Sequence, residues 1–186
     1  MSASDTALIV IDVQQSFPHR PYWDVADVPR YLERQQALID GAVAEGIPVI
    51  QIFHVEDEVA FSKESGNIRT LDGITINPTR IFEKGRHSAM VGTGLDVWLT
   101  SNGIRNLIIS GIRTEQCCET TTRHASDLGF KVTYVAEATL TFPMIDANGV
   151  THSPADIRAH TAMVLKDRFA RIATVEEALG ARKLAA

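Results

Sequence analysis

The chain has 186 residues, enough for one domain with a real core and an enclosed site, and we read 1–186 as that single domain. Its composition, 45% hydrophobic and 22% charged, is that of an ordinary soluble globular protein, and no apolar run approaches the roughly 20 residues of a membrane span. The net charge of -5 argues against nucleic acid or acidic lipid as a partner, because phosphate recognition needs a basic face.

The N-terminal stretch MSASDTALIV has neither a basic n-region nor a cleavage site and reads as mature cytoplasmic sequence. Thr6 to Val13, TALIVIDV, is a short Val/Ile/Leu-rich run of the kind that forms a buried parallel strand, with Asp12 near its carboxyl end. An aspartate there is costly to bury unless it has a partner or a task. The segment QQSFPHRPYWD reads as an irregular loop whose Phe17, Tyr22 and Trp23 either line a pocket or pack the loop onto the body. Val28 to Glu45 has the spacing of an amphipathic helix, with Leu32, Leu38, Ile39, Ala42 and Val43 on one broad face and Gly46 as its stop. Ile47 to Phe53 is the second strand, ending at His54. Residues 56–77 are a long excursion with little periodicity, of a length often used for functional lids.

Thr79 to Glu83 forms a short strand that delivers Lys84. Thr93 is placed to cap a helix through Ser101, with Leu95, Val97, Trp98 and Leu99 apolar, and Ile104 to Ser110 is the next strand. Lys131 to Val135 is another strand, Leu140 to Thr151 a loop containing Phe142, and Pro154 to Lys166 a helix. DRFARIAT supplies a last short strand, and Val175 to Ala181 the final helix. Strands therefore alternate with helices throughout. This implies a three-layer α/β/α fold, Rossmann-like, with a mostly parallel sheet of about six strands. In such sheets ligands bind beyond the carboxyl ends of the strands, where Asp12, His54, Lys84 and the Gly111 turn all fall.

The stretch LIISGIRTEQCCETTTR places Cys117 after a strand and a tight turn, with Thr114 as the expected N-cap and Glu115 and Gln116 in the first helical turn. A cysteine at a helix N-terminus is in an environment that stabilises a thiolate, and a buried cysteine that merely packs is the alternative. Cys117 and Cys118 are adjacent, a poor basis for a structural disulfide, and no Cys–His spacing suggests structural zinc. A nucleophilic cysteine needs a base, an oxyanion site and a proton for the leaving group. Asp12 can be base and then acid, Lys84 can hold that carboxylate and favour the thiolate, and backbone N–H groups of the Gly111–Cys117 turn can bind the oxyanion. Against this stand a purely structural Asp12–Lys84 ion pair and, for Lys84 taken alone, a solvated surface position.

Three motifs in order, ALIVIDVQQSF around Asp12, KGRHSAMVGTGLD after Lys84 and LIISGIRTEQCCETTTRHASDLGF around Cys117, together with a weaker RAHTAMVLKDRFARIATVEEAL, resemble the isochorismatase-like cysteine hydrolases. That superfamily includes nicotinamidases and N-carbamoylsarcosine amidases. The resemblance implies that Asp12, Lys84 and Cys117 are the catalytic triad. It also implies a cis Ile112–Arg113 peptide, with the Arg113 and Cys117 N–H groups as oxyanion donors, and a homodimer or homotetramer. Cys118, where the family has a small apolar residue, reads as core.

Two departures narrow the activity. Metal-dependent nicotinamidases carry an Asp-x-His pair and further histidines after the second strand, whereas FHVEDEVAFSKESG offers only His54, so we expect no metal and no other cofactor. True isochorismatases lack the nucleophilic cysteine, so its presence favours hydrolysis of an amide or carbamoyl C–N bond through a thioester. The rivals are a vinyl-ether hydrolase using Asp12 and Lys84 alone, and a thiol redox or binding protein. Phe17, Trp23, His54, His87 and Phe142 are substrate-binding candidates by loop position, with structural packing or hydrogen bonding as the alternative for each. Arg86 reads as structural, Glu56-Asp57-Glu58 as a solvated loop, and Glu137 stands where the family commonly has Asp.

Overall fold

The computed structural model describes residues 4–180. Six strands form one sheet: β1 (Thr6–Ile11), β2 (Val49–His54), β3 (Arg80–Lys84), β4 (Asn106–Ile112), β5 (Lys131–Leu140) and, last in the chain, β8 (Arg171–Ile172). Their order across the sheet is β3-β2-β1-β4-β5-β8, and every pairing is parallel. Helices α1 (Val28–Ala44), α2 (Leu95–Ser101), α3 (Glu119–Asp127), α4 (Pro154–Leu165) and α5 (Val175–Gly180) make the connections. The strand order reverses between β1 and β4, so a crevice opens at the carboxyl ends of those two strands.

The pleat of β1 sorts its residues onto two cores. Leu8 and Val10 pack with Leu38, Ile39 and Ala42 of α1 and with Val175 and Ala178 of α5. Ala7, Ile9 and Ile11 face the other way, onto Leu95 and Leu99 of α2, Ala125 of α3 and Leu165 at the end of α4. This is the three-layer arrangement that a strand buried on both faces requires. The buried face of α1 also includes Tyr31 and Gln35, while Val43, expected on that face, is exposed; Val97 of α2 is likewise exposed. Among the described residues no helix is long and apolar enough to cross a membrane.

Several elements differ from expectation. The 56–77 excursion contains two single-turn 3₁₀ segments and buries Phe61 and Leu71, so its middle is packed rather than free. An antiparallel bridge from Gln14 to Thr70 ties it down. The 140–151 loop carries a small antiparallel hairpin, β6 (Met144–Ile145) with β7 (Thr151–His152). Strand β5 continues to Leu140 through an irregularity: Ile109 pairs with Tyr134, but Gly111 pairs with Thr139. Glu137 sits in the extra length. Its carboxylate bonds Arg34 at 2.6 Å and accepts the Val175 N–H at 2.7 Å, tying the bulge to α1 and to the start of α5. Ala181, expected to end α5, lies outside the described residues.

Gly111 is required where it stands. Its φ is 130°, and a Cβ built there would come 2.0 Å from the Ile11 carbonyl oxygen on the paired strand. The obstructing atoms are Ile11 backbone, which cannot yield as a side chain can, so Gly111→Ala is expected to destabilise the fold by at least about 3 kcal/mol. A shift of the urea midpoint corresponding to less than about 1 kcal/mol would contradict this account.

Candidate active site

Asp12 follows β1 directly and holds φ 51°, a left-handed conformation that aspartate tolerates better than most side chains. Its N–H still donates to the Ile52 carbonyl at 2.9 Å, so the carboxylate leaves the sheet at a fixed point. His54 and Lys84, the last residues of β2 and β3, are paired in register. Cys117 comes from the chain after β4. There the structure departs from a simple capped helix: Thr114–Cys118 forms a π-type turn that runs into α3. Thr114 is no side-chain cap. It is buried, bonded to the Thr139 hydroxyl at 2.8 Å, and its carbonyl accepts from the Tyr134 hydroxyl at 3.0 Å.

These side chains meet around the Lys84 ammonium. Nζ lies 2.8 Å from Asp12 Oδ2, 2.8 Å from His54 Nδ1 and 3.4 Å from Cys117 Sγ. Lys84, Asp12, Cys117 and His54 are each less than a tenth exposed. A buried ammonium without partners would cost several kcal/mol; here it is hydrogen-bonded to His54 and Cys117 and ion-paired with the Asp12 carboxylate. The surface-lysine alternative is thus excluded. Burial, the largest influence on Lys84, acts to lower its pKa, but Asp12 and Cys117 outweigh it and hold the ammonium above its ordinary value.

The thiol follows the opposite balance. Burial first, and then the negative charge of Asp12, push Cys117 well above the ordinary thiol range, and Lys84 pulls it back only in part. Burial and Asp12 thus oppose the thiolate that a helix N-terminus favours, and the thiol stands beside a carboxylate that can take its proton. Cys118, fully buried, packs in the core on the α2/α3 side of the sheet.

The Ile112–Arg113 peptide is cis. The N–H groups of Gln116 and Cys118 both donate to the Arg113 carbonyl, at 3.3 and 3.2 Å, while the Arg113 N–H has no partner among the described residues.

Asp12, His54 and Cys117 open into a cavity of about 270 Å³. Of the five substrate-binding candidates, Phe17, His54 and His87 line it; Trp23 and Phe142 do not. Phe142 is fully buried, with the rings of Tyr22 and Trp23 packed on it at 5.4 and 5.2 Å, so it backs the wall while Tyr22 supplies the surface. Loop position alone could not separate these roles, because the direction of an aromatic ring is set by its packing. Phe61 returns from the 56–77 excursion to stand edge-on to Phe17 (5.2 Å) and His54 (5.6 Å). The acidic run, expected to be merely solvated, places Glu56 and Glu58 at the cavity, Glu58 paired with Arg20. Gln14, inside the first motif, was also unmarked. Its amide accepts the His54 N–H at 2.7 Å and donates to the His54 carbonyl at 3.0 Å, substituting for a strand neighbour. Arg86 is exposed and, among the described residues, bonds only the neighbouring Gly85 carbonyl.

Asp12, His54 and Cys117 bring donor atoms of metal-binding types within 4.8 Å of one another. Lys84 already bonds His54 and Cys117 and is ion-paired with Asp12, so the cluster holds a cation belonging to the protein, and a metal ion would have to displace it. The donor set fits the ammonium rather than a metal.

The isochorismatase domain model matches residues 6–177. An uncharacterised isochorismatase-family protein of Bacillus subtilis, YrdC, is 29% identical over 174 residues, 92% of each chain. The ureidoacrylate amidohydrolase RutB of Stutzerimonas stutzeri is 30% identical over 177 residues, 75% of this chain and 71% of that one. A hydrolase of the isochorismatase family from Chromobacterium violaceum superposes with a TM-score of 0.87 at 27% identity, covering 98% of this chain and 96% of the other. Because the match runs from the first strand into the last helix and takes in all four residues clustered at the strand ends, the chain belongs to the isochorismatase family of hydrolases.

Proposed function

We propose that the protein hydrolyses the C–N bond of a small amide or carbamoyl compound through a thioester on Cys117. The observation that carries this reading is that one buried ammonium, Lys84, bonds both the Asp12 carboxylate and the Cys117 sulfur at the closed end of the cavity. The cavity of about 270 Å³ suits a substrate of only a few heavy atoms beyond the scissile group. An amidohydrolase among the relatives supports the same bond type.

Cys117 Sγ attacks the carbonyl carbon as its proton passes to Asp12, and the carbonyl π electrons move onto oxygen. The Arg113 and Cys117 N–H groups hold that oxyanion. Its collapse breaks the C–N bond, and Asp12 returns the proton to the departing nitrogen. Water then gives a proton to Asp12 and attacks the thioester. The acid leaves, and the proton goes back to sulfur. Lys84 offsets negative charge on whichever of the two groups carries it. A vinyl-ether hydrolysis would need no sulfur, so it leaves the placement of Cys117 without a use.

Intact-protein mass after incubation with a panel of primary amides, carbamoyl compounds and isochorismate tests the reading. An acyl adduct on Cys117 is expected, with turnover abolished by Cys117→Ala and largely kept by Cys118→Ala. Turnover of isochorismate that survives Cys117→Ala would overturn it.

The charge balance gives a second prediction. With its pKa raised, the wild-type thiol carries its proton below that pKa, so iodoacetamide alkylation stays slow between about pH 6 and 9. Asp12→Asn removes a charge that raises the thiol pKa and leaves Lys84 seeking a counter-ion, so the pKa falls. Alkylation near pH 8 should then accelerate, while turnover drops by about 10²–10⁴-fold for loss of the base. A wild-type inflection below about pH 8 would contradict the neutral resting thiol.

A further inference from the structure

Lys84 has three close partners, its ion-pair partner Asp12, Cys117 Sγ and His54 Nδ1, and only the first two take part in the proposed chemistry. The third is His54 Nδ1, at 2.8 Å. An ammonium has no lone pair, so the proton of this bond belongs to lysine and Nδ1 must be unprotonated. The ring is then neutral with its hydrogen on Nε2, and Nε2 lies 3.3 Å from Glu56 Oε2, an acceptor. Gln14 clamps the His54 backbone from both sides, and Phe61 stands edge-on to the ring. Tautomer, ring plane and backbone are thus each set by a different neighbour. The mechanism above leaves all four of these residues unused.

We propose that His54, oriented by Glu56, is the positioning residue for Lys84: it takes the third ammonium proton and so aims the other two at Asp12 and Cys117. His54 then needs no contact with substrate. Its role also accounts for a histidine with no companion histidines at the end of β2, since what is required there is one neutral acceptor. If Nδ1 carried the proton, N–H would oppose N–H and the ammonium would turn away from sulfur. The assignment rests on the reading of Asp12, Lys84 and Cys117 as the reacting groups.

The two amide substitutions of His54 separate this role from simple packing. Asparagine puts its Oδ1 where Nδ1 stands, whereas glutamine reaches toward the Nε2 position; both lose the ring and its contact with Phe61. His54→Asn is therefore expected to restore kcat to within a few-fold of wild type. His54→Gln is expected to lose about 10- to 100-fold in kcat, the usual cost of removing a group that orients a catalytic one, with little change in KM. Equal kcat in the two variants, or a loss expressed in KM, would overturn the proposal. Two-bond ¹H–¹⁵N correlation on the wild-type protein gives a readout that needs neither a variant nor turnover. The neutral Nε2–H tautomer of His54 is expected, and the Nδ1–H tautomer would overturn the proposal even in a protein that hydrolyses amides. Conversely, an Nε2–H ring in a protein inert to every amide would refute the amidase reading and leave the His54–Lys84 contact standing.

Discussion

A lysine ammonium withdrawn from water must have every proton accepted, and at Lys84 that requirement draws together four separate parts of the chain. Asp12 leaves β1, His54 ends β2, Lys84 ends β3 and Cys117 follows β4. Removing one member of a buried charge cluster commonly costs 3–5 kcal/mol, because the remaining charge is stranded. The same bonds that make burial of Lys84 tolerable put a carboxylate and a thiol within reach of one cation. Stability and reactivity at this point are consequences of one arrangement.

The sheet makes that arrangement available. Three of the four residues come from the neighbouring strands β3, β2 and β1, and the fourth enters across the point where the strand order reverses. The close approach of β4 to β1 depends on Gly111, since no Cβ fits between it and the Ile11 backbone. The turn that follows brings Cys117 over the end of β1. The crevice of a doubly wound sheet is a general ligand site, but its content here is specific to these side chains.

The electrostatics distinguish two ways of preparing a cysteine. One lowers the thiol pKa so that a thiolate waits for substrate; the other keeps the thiol neutral and supplies a base beside it. Burial of Cys117 and the proximity of Asp12 both raise the thiol pKa, which favours the second. A neutral thiol beside the Asp12 carboxylate leaves a single negative charge for Lys84 to balance, which suits side chains this deeply buried. Two anions beside one ammonium at this depth would leave a net charge unpaired.

Much of this was readable from the order of residues alone. Apolar runs of strand length punctuated by Gly46, Gly103 and Gly129 set the alternation of strands and helices. Chemistry-bearing residues at strand carboxyl ends marked Asp12, His54, Lys84 and Cys117. That worked because local burial pattern is a property of a few consecutive residues, and a parallel sheet converts the end of any strand into one common edge. The partners that arrive from elsewhere were not readable. Glu56 and Phe61 looked like parts of an irregular excursion, Trp23 and Phe142 stood out as pocket residues where Tyr22 supplies the surface, and Gln14 carried no signal. Each of these roles depends on which way a side chain points after packing. The balance at Cys117 belongs with them, because a helix N-terminus favours a thiolate, and only the depth of burial and the neighbouring Asp12 oppose it. The sequence by itself determined the alternating fold and which residues stand at the strand ends. The tertiary structure decided what faces each of them, because orientation, burial and local charge are set by residues distant along the chain.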